Sequence, residues 1–182
     1  MIHDVTVECQ YGLVITEEHK TQMKGNKSCG YVYMPPHDFL YLTSNDEYIK
    51  QLLKDALPLD EYNKLSKRGK TIIPPFLIIE CGNLAEPAMK PNKPHISPLG
   101  KVLGHEGRHR AAACINDAVP QMPVFLIAAF HGQKEFQVKK HPGDPSKRYE
   151  LRHVDKVDFP EYAIGQEIPT RRSLHLETWK AI

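Results

Sequence analysis

The densest group of side chains able to do chemistry is Gly104-His105-Glu106-Gly107-Arg108-His109-Arg110, followed by Ala111-Ala112-Ala113. A glycine-flanked turn that enters a helix leaves backbone N–H groups unpaired at the positive end of the helix dipole, which suits a phosphate. Arg108, His109 and Arg110 add positive charge and hydrogen-bond donors there. Gly104, His105, Gly107, Arg108, His109 and Arg110 are therefore the expected ligand-binding residues, with a phosphate group as the ligand. Glu106 is expected to act through a divalent metal such as Mg²⁺, or as a base, with His109 as the second catalytic candidate. An acid placed among Arg108, His109 and Arg110 is poorly explained by packing, so Glu106 is expected to matter for chemistry more than for folding.

The same letters spell His-Glu-x-x-His over His105, Glu106 and His109. In zinc peptidases that run lies within a helix, so both histidines reach one metal and the glutamate activates water. Here Gly107 falls in the middle, at about 1 kcal/mol in a helix interior. The apolar stripe Ala111, Cys114, Ile115, Ala118 also points away from His105 and His109 at the helical angle per residue. A zinc hydrolase using these three residues is one alternative. A non-catalytic module that uses the basic turn to bind nucleic acid or a host protein is the other.

The turn needs a strand before it and a helix after it. Lys101-Val102-Leu103 reads as a short strand, 104–107 as the turn and 108–118 as the helix. The alanines let that helix lie close to a sheet. Val124 to Phe130 is the most hydrophobic strand, and Phe76 to Cys81 is a nearly continuous apolar run between Pro75 and Gly82, consistent with burial on both faces. Ser44-Asn45-Asp46-Glu47 precedes Ile49, Leu52, Leu53 and Ala56, an amphipathic helix with cap residues ahead of it. Asp60 is expected to cap a second short helix closed by Gly69. Val5 to Ile15 reads as a hairpin, Tyr31 to Met34 as a strand stopped by Pro35-Pro36, and Thr16 to Cys29 and Asn83 to Pro98 as loops. Phe136 to Val138 and Tyr149 to Val154 read as short strand-like pieces.

The chain has 182 residues, a length at which one compact domain is the default. Hydrophobic residues are 41% and charged residues 25%, close to ordinary soluble proteins, which favours neither a disordered tail nor a coiled coil. Lys+Arg 24 against Asp+Glu 22 gives a net charge of +2, too balanced to indicate nucleic-acid binding from bulk electrostatics, so any basic site is local. Lys139-Lys140-His141, Lys147-Arg148 and Arg171-Arg172 read as solvated charge runs. No apolar run is long enough to cross a bilayer and Met1-Ile2-His3-Asp4 has no signal-peptide character, so no membrane partner and a cytoplasmic location are expected. Cys9, Cys29, Cys81 and Cys114 have no CxxC spacing and read as isolated thiols.

Val102 to Ala113, followed by a helix and Met122-Pro123-Val124-Phe125-Leu126, resembles the core signature of the ParB/sulfiredoxin superfamily. That signature is a strand, an acidic residue, Gly-x-[His/Arg]-Arg with alanines after it, a helix, and a strand opening on Pro-Val. Met34 to Leu40 and Pro74 to Ile78 are similar to the upstream part of phage and mobile-element members carrying the His-Glu-Gly-Arg-His-Arg run. The resemblance covers roughly Tyr31 to Ala128. It implies a phosphate-binding turn at Gly107, Arg108, His109 and Arg110 that holds the β/γ-phosphates of a nucleotide triphosphate, with Glu106 at the acidic position. The activities it implies range over nucleotide hydrolysis on DNA, nuclease action, amino-acid phosphorylation and sulfinic-acid reduction. Sulfiredoxin's reactive cysteine position is Arg108 here, which argues against the reductase, and Cys114 reads as a packing residue.

The expected architecture is an α/β (α+β) single domain over residues 1–182 with a small mixed sheet. Residues 31–128 form its ParB/sulfiredoxin-like core and residues 129–182 a C-terminal extension. The expected function is nucleotide or phosphate binding, with phosphoryl transfer or phosphodiester hydrolysis at the turn.

Overall fold

The computed structural model describes residues 6–8, 12–14, 16–23, 29–62, 71–80, 99–127, 136–139, 148–151, 154–157, 167–168 and 173–175. In chain order the elements are β1 (Thr6–Glu8), β2 (Gly12–Val14), α1 (Glu17–Met23), β3 (Cys29–Met34), α2 (Pro36–Thr43), α3 (Asp46–Asp55) and α4 (Leu59–Tyr62). There follow β4 (Thr71–Ile72), β5 (Phe76–Glu80), β6 (Leu99–Glu106), α5 (Arg108–Asn116), β7 (Met122–Ile127), β8 (Phe136–Lys139), β9 (Arg148–Leu151), β10 (Asp155–Val157), β11 (Glu167–Ile168) and β12 (Ser173–His175). The architecture is α/β around a mixed sheet of order β10-β3-β7-β5-β6-β8-β9, in which β5/β7 and β6/β8 are parallel and the other pairs antiparallel. Two small sheets, β1-β12 and β11-β2-β4, lie outside it.

β7 is buried at every position because both faces of the central strands are covered. On one face Val124 and Leu126 join Leu77, Ile79 and Val102 against α2, α3 and α5. On the other, Phe125 and Ile127 pack with Phe76 and Cys29. α5 lies close to the sheet because Ala111, Ala112 and Ala113 bury completely and hold no bulk between backbone and strand. α3 carries the expected stripe, with Ile49 and Leu52 buried and Leu53 and Ala56 half-buried. Its cap is Asn45, whose side chain accepts from the Tyr48 N–H at 2.8 Å.

Several elements differ from the sequence reading. β6 runs to Glu106, so 104–106 is strand and the turn is Gly107 alone. Pro35-Pro36 stops β3 but also starts α2, since proline fixes φ in the helical range and needs no N–H donor in the first turn. α1 forms inside the stretch expected to be loop. β1 and β2 do not pair with each other; β1 pairs β12, and β2 pairs β4 and β11. α4 begins at Leu59, whose N–H donates to the Asp117 carboxylate at 3.1 Å, so Asp60 lies within the helix instead of capping it. The expected closure at Gly69 and the expected loop 83–98 lie outside the described residues. β8, β9 and β10, from the presumed extension, complete the main sheet.

Candidate site at the start of α5

The sheet register decides where the cluster's side chains go. His105 stands opposite Leu77, whereas Glu106 stands opposite Phe76 and Gly104 opposite Ile78. Successive strand residues face opposite ways, so His105 lies on the face covered by α2, α3 and α5, and Glu106 on the other. The helix begins only at Arg108. His105, Glu106 and His109 therefore do not share one helical face, and the converging geometry of a helical zinc motif does not form. Among the described residues no group of three His, Cys, Asp or Glu side chains is placed to hold a metal ion.

Gly107 makes the single-residue turn with φ 96° and ψ 20°, a left-handed conformation that side-chain-bearing residues rarely adopt. Space forbids a side chain as well, since a Cβ would stand 2.8 Å from the Pro75 Cα and 2.9 Å from an Arg110 guanidinium nitrogen. The helix that follows has no side-chain cap. Its first intrahelical bond is Ala111 N–H to the Gly107 carbonyl at 3.0 Å, which leaves the amides of Arg108, His109 and Arg110 as its leading donors.

The charged side chains divide by role. Arg108 lies over the Tyr48 ring of α3, 4.5 Å from its centroid, with a guanidinium nitrogen 3.5 Å from the Tyr48 hydroxyl. His109 is exposed beside the helix start. Arg110 turns the other way and pairs with Glu106 one helical turn back, with side chains 15% and 31% exposed respectively. The Arg110 Nε–H is buried and has no partner among the described residues. Gly104, on the strand, sits against Ile78, whose Cδ1 would lie 3.2 Å from an added Cβ. Of the expected binding residues, Gly107, Arg108 and His109 converge on the helix start, whereas Gly104 and His105 serve the sheet and Arg110 is committed to Glu106. The expectation that packing does not explain Glu106 is corrected: its carboxylate is engaged by the Arg110 guanidinium.

Residues outside the motif also build this end. His19 of α1 is 1% exposed, with its ring 5.1 Å from Phe125 and 5.7 Å from Phe76. Its Nδ1 accepts from the Thr16 N–H at 3.0 Å and its Nε2 lies 3.0 Å from the Pro74 carbonyl oxygen. Only the neutral imidazole with its proton on Nε2 makes both bonds. Burial pushes His19 down to about 4 from an ordinary 6.5; the Pro74 bond opposes that shift and the Arg110 charge adds to it. Thr16-Glu17-Glu18 ahead of His19 is a helix-start pattern, the one signal that composition had obscured. Asp38, in the first turn of α2, is half-buried, and burial raises its carboxyl to about 6 while His37 opposes the rise. Cys29 and Cys114 are buried thiols raised by burial to about 11 and about 12, so both are unreactive packing groups, as read for Cys114. Lys139 and Arg148 stand opposite each other on β8 and β9, and Arg171-Arg172 lies outside the described residues.

Comparison of the chain with protein-family models, with curated proteins and with solved structures found no match. Among the described residues, no helix is long and apolar enough to cross a membrane.

Proposed function

We propose that the protein binds the phosphate groups of a nucleotide at the start of α5. The observation that carries this reading is the uncapped helix entered through a left-handed Gly107, with its leading amides unpaired in the helix and Arg108 and His109 beside them. Oriented N–H groups at the positive end of a helix dipole favour an anion without reorganising, and a guanidinium already held over Tyr48 loses little freedom when it donates to one. The resemblance of Val102 to Ala113 to the ParB/sulfiredoxin signature supports a nucleotide as the carrier of that phosphate.

On this reading Glu106 and Arg110 position the helix start, and His109 is the exposed group available to give a proton to a leaving oxygen in phosphoryl transfer or phosphodiester hydrolysis. Glu106 is a single carboxylate already engaged by Arg110, so it does not make a metal site by itself. A Mg²⁺ ion would be carried in on the nucleotide's phosphates, as Mg²⁺ commonly is, and would neutralise their charge. The buried free thiols Cys29 and Cys114 support a reducing compartment, hence a cytoplasmic location.

Calorimetry with pyrophosphate and a panel of nucleotides tests the reading. Arg108→Ala is expected to weaken binding by about 1.5–3 kcal/mol, the range for charge-assisted hydrogen bonds. Equal affinity of wild type and variant for every ligand bound sinks it. Nucleic-acid binding that ignores nucleotide favours the non-catalytic module.

A further inference from the structure

α1 has seven residues, too few to persist in water without packing. Among its described side chains Glu17, Glu18 and Thr21 are exposed, Gln22 is half-buried and His19 alone is buried. His19 caps its own helix: the His19 N–H donates to Thr16 Oγ1 at 3.3 Å while Nδ1 accepts from the Thr16 N–H. This is the reciprocal arrangement of a capping box, with imidazole in the usual glutamate position. The other ring nitrogen docks the helix on Pro74. Pro74 is joined to Pro75, whose backbone fills the space beside Gly107 and whose carbonyl accepts from the Phe125 N–H at 2.8 Å. A continuous packed path thus runs from α1 through Pro74-Pro75 to the turn that starts α5.

We infer that α1 is an acid-opened latch: neutral His19 fastens it, and protonation of His19 releases it and loosens the Gly107 turn beneath. A proton on Nδ1 turns the acceptor of the Thr16 N–H into a donor and sets the two N–H groups against each other. The groups facing the ring are Phe76 on β5, Phe125 on β7 and Pro74, all uncharged, together with Arg110 on α5, which opposes a second positive charge and is itself paired with Glu106 on β6. On α1 itself, Glu17 and Glu18 are exposed to solvent. The latch stands on this geometry alone, and only its consequence for ligand rests on the anion-binding reading. With His19 at about 4 when fastened and an ordinary 6.5 when released, the released fraction rises by about 30-fold between pH 7.5 and pH 5.

Amide hydrogen exchange followed residue by residue on the full chain, corrected for intrinsic chemical exchange, tests the inference. In the wild type, exchange in α1 is expected to rise about 30-fold from pH 7.5 to pH 5, with the Ala111 amide, which donates to the Gly107 carbonyl, rising alongside it while β7 stays protected. His19→Gln, whose carboxamide oxygen can accept from the Thr16 N–H but does not titrate, removes the pH dependence. His19→Phe, which keeps the apolar packing, removes it too and leaves α1 loose at both pH values. The latch is overturned if wild-type α1 exchanges independently of pH, if the Ala111 amide does not follow α1, or if the dependence survives in His19→Gln. Pyrophosphate added at pH 7.5 is a separate readout. Failure to protect 107–110 refutes the anion-binding reading and leaves the latch result standing.

Discussion

Glu106 and Arg110 show how a residue's role depends on which side of a boundary it falls. Read as a turn, 104–107 offers Glu106 to a ligand; as the last residue of β6, one glycine before α5, Glu106 instead faces Arg110 one helical turn ahead. Removing the carboxylate leaves a mostly buried guanidinium with its Nε already unpartnered among the described residues. Glu106→Gln is therefore expected to cost about 1–2 kcal/mol of stability, discounted for its partial exposure, and to lower the melting temperature by several degrees. Parallel melts of wild type and variant check this, and an unchanged melting temperature refutes the structural role. Gly107 was legible as a turn residue from its neighbours, because a tight turn between a strand and a helix favours the residue that adopts positive φ without strain. That Pro75 presses on it was not legible, because 32 residues separate the two along the chain.

At the scale of elements, α5 ends as tellingly as it starts. The Val119 N–H donates to the Cys114 carbonyl at 2.8 Å and the Ala118 N–H to the Ile115 carbonyl at 3.0 Å, a Schellman closure with Ala118 at φ 54°. An alanine in the left-handed region costs about 1–2 kcal/mol, so Ala118→Gly is expected to stabilise the fold by about 0.5–1 kcal/mol once the glycine's extra chain entropy is counted. A rise in urea midpoint with an unchanged slope is the expected observation. Strong periodicity made α3 and α5 legible, and continuous apolar runs did the same for β5 and β7. α2 was hidden because the Pro35-Pro36 pair that begins it also reads as a breaker. α1 was hidden because, among its described side chains, the buried one is polar His19, in a segment whose composition is that of a loop.

At the scale of the whole molecule, buried His19 and half-buried Asp38 set opposite pH dependences. His19 sits below its unfolded value, so the unfolded chain binds more protons between about 6.5 and about 4, and the stability present above that window is lost as pH falls through it, to about 3 kcal/mol. Asp38 sits above its unfolded value of 3.8, so the folded chain binds more protons up to about 6, and stability is lost as pH rises through that window. The two nearly offset in the wild type. Denaturation at pH 4.5 and pH 7 separates them: relative to wild type, His19→Gln is expected to lose most at pH 7 and Asp38→Asn to gain most there, both differences shrinking at pH 4.5. A difference that grows on acidification contradicts the assignment. The mixed α/β sheet was legible as a class, and β8 and β9 as short strand-like pieces, but β10 and the places of all three in the sheet were not. β8, β9 and β10 are three or four residues long, and β8 and β10 pair with strands distant in the chain, which local pattern does not encode. The central claim, an anion site at the start of α5, is tested most directly by following backbone amide resonances while pyrophosphate is titrated in. The account predicts saturable shifts largest at the Arg108, His109 and Arg110 amides and weakened in Arg108→Ala. Shifts confined to other lysine- or arginine-bearing segments, with those three amides unmoved at saturation, would contradict it.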